Sequence, residues 1–575
     1  MEERAVRPLI IALLVLLGAS AACAAPPPDY LPEAEKAIAD TVDPWGLPFS
    51  DALVRYEARF AADADAQFAL GMNHGLVKVL PNKYWYRGPS WLPGGEPATV
   101  GPFIAPAGEA QSFQVMALPA VGASEREYTL SVELENAQGA EVTIYREVFV
   151  TTSQNAAYPR LHSERWPDPL VPESSASASG LDLAAFWVDV AIPAEHPGGE
   201  IVCQVTLTDG EQSATVAPVI DVVPGLDLEP KQFPFVSWFA RRWGGGTLSD
   251  EQARGMYELV LAHHMQAADA LAGLWDADDP AAFDAMHDLL ASQGQRHFDL
   301  RGIKDDQMPA AYEHIKAAGW IDQCLLYRGP DEPDDATFAE KNIPLCREVH
   351  EKYPGVRVYL ASEFHENMEQ GCDIWMTDVS ASRYDPVAMR DMAAPELWNY
   401  YCHLPIRWQM RGPLVDAPNM EIDNRALEHR LALWMSHLAG ARGVFTWAGF
   451  RAMDLQADFW DTLTLADKRS GYPYGGVHNG NNFRVYPPRE EGGPVLPSLR
   501  LKVTRDAMVD LALVAKAREL LDEGGLARRD AARLRELLDP TPEVYVDFHY
   551  WNRDPAALLN HRDELLRALD EVVNG

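Results

Sequence analysis

The feature that most constrains this chain is a change of hydrophobic rhythm near Pro230. Before it, from about residue 60 to 225, apolar and polar residues alternate, the period of a strand with one buried face. The run YTLSVELENAQGAEVTIYREVFV (128–150) alternates on both sides of an Asn-Ala-Gln-Gly turn. FWVDVAIPAEHPGGEIVCQVTLTDG (186–210) reads as two strands about a Pro/Gly connection. Short alternating strands with turns between them suggest a sandwich. The stretch PESSASASG (172–180) reads as a surface loop.

After Pro230, short apolar runs alternate with helical stretches. The candidate strands are FPFVSWFA (233–240), CLLYRG (324–329), VRVYLAS (356–362), CDIWMTD (372–378), ELWNYY (396–401) and GVFTWAGF (443–450). Leu248–Leu271 and Asn424–Ala439 carry apolar residues at three- and four-residue spacing, as amphipathic helices do. Such alternation suggests a (β/α)8 TIM-type barrel. An open doubly wound sheet is the alternative, but no G-x-G-x-x-G or phosphate loop supports a nucleotide site. From about residue 500 the tail is helical and charged, with 529–538 and 556–573 as its best helices. The expected fold is therefore an N-terminal β-sandwich (25–228), a barrel (229–500) and a C-terminal helical segment closing it (501–575).

Residues 1–24 read as an export signal. Arg4 and Arg7 precede an uncharged run, Leu9 to Ala19, and Ala22-Cys23-Ala24 fits a small-residue cleavage site. The run is too short for a permanent membrane anchor. Cys23 also admits a lipid anchor, although Ser20 stands where such sites carry Leu. The expected location is outside the cytoplasm: periplasmic, extracellular or lipid-anchored. The formal net charge of −36 opposes phosphate and argues against nucleic-acid partners. The six cysteines, Cys23, Cys203, Cys324, Cys346, Cys372 and Cys402, form no C-x-x-C pair, so neither a disulfide framework nor a structural zinc site is indicated. No metal or organic cofactor is expected.

Motifs for other chemistries are missing: there is no H-E-x-x-H, G-x-S-x-G or EF-hand loop. His263, His264 and His365 are isolated and read as core or surface residues. LLYRGPDEPDD (325–335) stands out, because an apolar strand runs straight into Asp331 and Glu332. In a parallel barrel the C-terminal strand ends face the active site. Paired carboxylates there suit glycoside chemistry, where one group protonates the leaving oxygen and another stabilises positive charge at the sugar carbon. The ordinary alternative is a helix N-terminus, where acidic residues satisfy free N–H groups. Asp334 and Asp335 look like such a cap. Trp375, Trp398, Tyr400, Tyr401 and Trp447 lie on or just after candidate strands and are candidate sugar-stacking residues, with core packing as the alternative.

Taken in order, these segments resemble glycoside hydrolase family 123, the β-N-acetylgalactosaminidases, and its uncharacterised relatives. GEAQSFQVMALP (108–119) looks like the start of that family's N-terminal sandwich. FWVDVAIPAEHPGGEIVCQVTLT (186–208) looks like its hairpin, and LLYRGPDEP (325–333) like the strand ending in its catalytic pair. CDIWMTD (372–378), ELWNYYCHLP (396–405) and 425–450 resemble the later barrel strands, and 497–521 the closing helix. The resemblance implies Glu332 as general acid/base and Asp331 as the holder of a 2-acetamido group. It implies substrate-assisted catalysis, in which the acetamido oxygen attacks the anomeric carbon and forms an oxazolinium. The expected function is thus an exported retaining hydrolase of terminal β-linked N-acetylhexosamine, N-acetylgalactosamine first.

Two departures from the family pattern stand out. Gly329-Pro330 precedes the pair where relatives carry a bulkier residue, and 507–512 lacks the Gly, Glu and Tyr usual in the closing helix. The alternatives are a non-catalytic carbohydrate-binding or cell-surface protein on the same scaffold, or a hydrolase of another sugar. The latter needs a second carboxylate, with Asp378 and Glu396 as candidates.

Overall fold

A computed structural model describes residues 65–80, 100–120, 122–152, 165–180, 182–377, 395–402, 418–452, 455–465, 479–540, 542–547, 550–552 and 554–575. The export segment, Cys23 and Asp378 lie outside these residues. The N-terminal part is sheet-rich. One antiparallel sheet runs Phe68–His74, Ala110–Pro119, Ala184–Ala191, Glu141–Thr151, Arg165–Val171. A second runs Phe103–Pro106, Val219–Val223, Gly199–Thr208, Arg126–Glu135, Ser175–Ala178, with Ser213–Val216 also paired to Gly199–Thr208.

Strand alternation builds the core of this part. In Gly199–Thr208, Ile201, Cys203, Val205 and Leu207 are buried while the residues between them are half-exposed. They join Phe113, Val115, Phe186 and Val188 of the first sheet in one apolar cluster. Each such side chain contributes roughly 1.5–3 kcal/mol on burial.

The structure corrects the connections. The strands either side of Asn-Ala-Gln-Gly do not pair with each other. Arg126–Glu135 belongs to the second sheet and Glu141–Thr151 to the first. The same holds for the expected hairpin at 186–208, whose two strands, Ala184–Ala191 and Gly199–Thr208, also lie in different sheets. Alternation reports which face is buried, and strands in two separate sheets satisfy it as well as a hairpin does. Part of the expected loop 172–180 is a strand, Ser175–Ala178, paired with Arg126–Thr129. Its small polar side chains suit a sheet edge.

The second part is a nearly closed barrel of eight parallel strands. In order they are Phe235–Ser237, Met265–Ala267, Phe298–Asp299, Cys324–Tyr327, Arg357–Ala361, Ile374–Thr377, Glu396–Tyr401 and Gly443–Thr446. The first pairs with both the second and the eighth, and the third to eighth pair in succession. Among the described residues no ladder joins the second strand to the third. Two buried amides bridge that seam. Gln295 Nε2 donates to the Ala267 carbonyl (2.9 Å) and its Oε1 accepts the Ala267 N–H (3.3 Å). Gln266 Oε1 accepts the N–H groups of Arg296 (2.9 Å) and His297 (3.1 Å). Buried backbone groups that miss a ladder are thus paired by side chains.

The expected helix Leu248–Leu271 is shorter than its apolar spacing suggests. It runs Asp250–Ala262, starting at a capping box of Ser249 and Gln252. Met265–Ala267 then forms the second barrel strand. The closing helix, Leu499–Glu523, packs on Ala426–Leu438 through Asp510, which takes two bonds from Arg430 (2.7 and 2.6 Å) and one from Trp434 (2.9 Å). It also grips the sheet-rich part: Asp189 meets Lys502 (2.6 Å) and Arg505 (3.2 Å), and Asp168 meets Arg500 (2.9 Å). The departures at 507–512 therefore leave a helix whose buried ion pairs are complete. Among the described residues no helix is long and apolar enough to cross a membrane.

Candidate active site

The fourth barrel strand delivers the carboxylate pair. After Tyr327 the chain turns through Gly329, whose φ of +95° lies in the left-handed region. A Cβ there would stand 2.7 Å from Asn342 Nδ2, which donates to the Pro330 carbonyl at 3.1 Å. Gly329 is therefore required by both conformation and space. Glu332 is itself left-handed (φ +45°), and its N–H donates to the Ala361 carbonyl at the end of the fifth strand (3.1 Å). A non-glycine residue held there stores local strain, of the kind that concentrates at functional sites.

Capping falls to a different residue. Asp334 accepts the Thr337 N–H (2.7 Å) and caps the following helical turn, which leaves Asp331 and Glu332 free of that duty. Both line a cavity of about 230 Å³ at the C-terminal mouth of the barrel, with Trp238, Tyr327, Tyr400, Phe445, Trp447, Arg451 and Asn481 among its walls. The Tyr327 hydroxyl donates to Asp331 Oδ1 and itself accepts the Ala361 N–H (3.3 Å). Partial burial, then the charges of Asp331 and Glu363, push the Glu332 carboxyl above the ordinary range. One carboxylate is thus fixed by a donor and its neighbour is biased toward holding a proton.

The walls rest on a buried network. Trp238 meets Tyr327 edge-on (5.4 Å) and Phe445 likewise (5.0 Å). Its indole N–H reaches the Tyr359 hydroxyl (2.8 Å) and Asp299 (3.1 Å), and the Arg301 guanidinium lies 3.4 Å over its ring. Trp447 donates to Asn481 Oδ1 (3.4 Å), and the buried Asn481 Nδ2 has no partner among the described residues. An unused buried donor at a cavity wall suits a polar ligand.

Of the aromatics named from sequence, Tyr400 and Trp447 line this cavity. The other three lie elsewhere. Trp375 points out of the barrel, donates to the Ser362 carbonyl (3.0 Å) and packs on Phe364. Trp398 fills the barrel interior at the opposite end, bonded to Glu396 (2.7 Å) and set against His297. Tyr401 donates to the Ala432 carbonyl under a helix (2.9 Å). Side-chain parity accounts for two of these placements: Ile374 and Met376 face inward, so Trp375 cannot, and Tyr400 faces inward, so Tyr401 cannot. Trp238, Tyr327 and Asn481 were missed. The first two sit on or after candidate strands, and the same parity would have selected Tyr327, whereas nothing in the sequence marks Asn481. The rings of His263, His264 and His365 bond to the Leu259 carbonyl, Glu109 and Asp335.

Residues 296–517 match the family described as Glycoside hydrolase 123, catalytic domain. The match begins at the third barrel strand and ends within the closing helix. No curated protein matches the chain. Among solved structures, a family 123 glycoside hydrolase from Clostridium perfringens, studied for glycolipid glycan hydrolysis, aligns with a TM-score of 0.62 at 12% identity, over 88% of this chain and 98% of that one. A putative alpha-galactosidase from Bacteroides fragilis aligns at 10% identity over 72% and 78%, with a TM-score of 0.22. A FixG-related protein from Vibrio parahaemolyticus aligns at 14% identity over 20% and 81%, with a TM-score of 0.13. The first alignment spans both parts of this fold; the other two are too loose to bear on it. Sequence match, barrel and mouth agree: the chain carries a glycoside hydrolase domain that resembles family 123.

Proposed function

We propose that this protein is an exported retaining hydrolase that removes a terminal β-linked N-acetylhexosamine, N-acetylgalactosamine first, by substrate-assisted catalysis. The reading takes the two sheets as a sandwich (25–228), the barrel as a (β/α)8 barrel (229–500) and the tail as its closing segment (501–575). The observation that carries it is the adjacent pair at the barrel mouth, one carboxylate anchored and the other biased toward its acid form.

In this reading Glu332 gives its proton to the glycosidic oxygen as the C1–O bond breaks. The acetamido oxygen forms a new bond to C1 and closes the oxazolinium. Asp331, held by Tyr327, takes the acetamido N–H and stabilises the positive charge. Water then attacks C1, Glu332 removes its proton, and the acetamido group is restored. Adjacent residues suffice because the substrate supplies the nucleophile, an exception to the two-carboxylate geometry. Trp238, Tyr400 and Trp447 offer flat apolar faces to the ring.

A hydrolase of a sugar without an acetamido group needs a second carboxylate at the mouth. Glu396 lies at the opposite end of the barrel, paired with Arg357 and Trp398, and does not serve. The test is release of the aryl group from 4-nitrophenyl 2-acetamido-2-deoxy-β-galactoside, beside its gluco epimer and plain β-galactoside. Turnover of the acetamido sugars alone, lost in Glu332→Gln, supports the mechanism. Turnover of the plain galactoside at a comparable rate refutes it. Glycan binding without any turnover favours a carbohydrate-binding role.

A further inference from the structure

At the N-terminal rim of the barrel, opposite the carboxylate pair, three potential metal ligands converge. Cys346 and His350 lie on the helix Ile343–Lys352, four residues apart and so on one face. Asp373 immediately precedes the sixth barrel strand. Cys346 Sγ is 3.9 Å from His350 Nε2, and His350 Nε2 is 2.8 Å from Asp373 Oδ2. All three ligand atoms lie within 4.8 Å of one another. Zn–S and Zn–N/O bonds of about 2.3 and 2.0–2.1 Å place tetrahedral ligands roughly 3.3–3.6 Å apart. Side-chain shifts of about an ångström would convert the cluster to that geometry.

We propose that Cys346, His350 and Asp373 form a zinc site with one coordination position open to solvent. The donor set, one thiolate, one imidazole and one carboxylate, suits Zn²⁺ better than the oxygen-preferring Mg²⁺ or Ca²⁺. Cys346 is buried at the inner edge, whereas His350 is exposed and gives the ion an entry path. Asp373 is already oriented, because its Oδ2 accepts the Val358 N–H of the fifth strand (2.7 Å). Such a second partner is the usual support for a ligand. The ion would tie the helix to the rim between the fifth and sixth strands, a structural role independent of the glycosidase reading.

The test uses the full chain, reduced and stripped with a chelator, titrated with Co²⁺ and then Zn²⁺. The expected result is one bound equivalent, with tetrahedral cobalt bands and a thiolate-to-cobalt charge-transfer band that zinc abolishes. Cys346→Ser should lose the charge-transfer band. His350→Gln, an exposed change that leaves folding intact, should weaken zinc binding by at least about tenfold and remove the rise in Tm that zinc causes. The proposal is overturned if the folded chain shows no charge-transfer band, or if the band and the zinc affinity are unchanged in both variants. An ordinary His350–Asp373 ion pair beside an unreactive thiol would give that second outcome.

Discussion

Glu147 offers the sharpest test of the energetics. It is 2% exposed in the strand Glu141–Thr151, and neither carboxylate oxygen has a hydrogen-bond partner among the described residues. Burial alone pushes its carboxyl up from 4.5 to about 8. The folded chain therefore holds this proton more tightly than the unfolded chain does. The stabilisation is fully present below about pH 4.5, declines from there, and is gone by about pH 8. The slope is about 1.4 kcal/mol per pH unit, so about 3 kcal/mol is lost by pH 7 and about 4 kcal/mol by pH 8. Glu147→Gln keeps the shape and cannot ionise. The assay is equilibrium urea unfolding of both proteins at pH 5, 6, 7 and 8, read as the difference between them. Subtraction removes every other titrating group. The mutant should gain on the wild type with each step and exceed it clearly at pH 8. Parallel curves would refute the reasoning, for they would mean that the carboxylate is solvated or paired when folded.

Glu332→Gln should lower kcat/KM by about 10²–10⁴-fold with little change in Tm, measured by aryl-glycoside release and thermal melting. Because the Glu332 carboxyl is raised, the alkaline limb of the wild-type pH profile should lie above the usual carboxylate range, and loss of activity already near pH 4 would contradict that assignment. Gly329→Ala should cost about 1–3 kcal/mol from the left-handed backbone and the contact with Asn342, and should lower kcat more than KM rises, read by melting and steady-state kinetics. Gln295→Leu should destabilise the barrel by about 2–4 kcal/mol, since it strands both the N–H and the carbonyl of Ala267. Hydrogen exchange at Ala267 should speed up in that variant and stay unchanged at the distant seventh strand.

The elements that could be read from sequence were those whose evidence is local. Six barrel strands were recognised because each is a short apolar run bounded by turn residues. Met265–Ala267 and Phe298–Asp299 were missed, because two or three residues carry too little pattern to separate from a neighbouring helix. Their position was settled by the barrel itself, and their seam is completed by Gln266 and Gln295 rather than by a ladder. The site divides the same way. Asp331 and Glu332 were visible because a strand ends in two carboxylates. Trp375, Trp398 and Tyr401 were drawn in by residue type, and parity and depth along the barrel sent them outward or to its far end.

Hydrophobic period and the order of motifs thus determined, from sequence alone, a sheet-rich part, a strand–helix part and a carboxylate pair at a strand end. Only the tertiary structure decided which sheet each strand joins and which aromatics reach the mouth. It alone gathered Asn481, Trp238 and Tyr359 around the pair, and Cys346 and Asp373 at the opposite rim. The physical reason is range. A period of two or of 3.6 is set by neighbouring residues, whereas a cavity wall, a shifted carboxyl or a cluster of ligands depends on groups that folding brings together across many tens of residues.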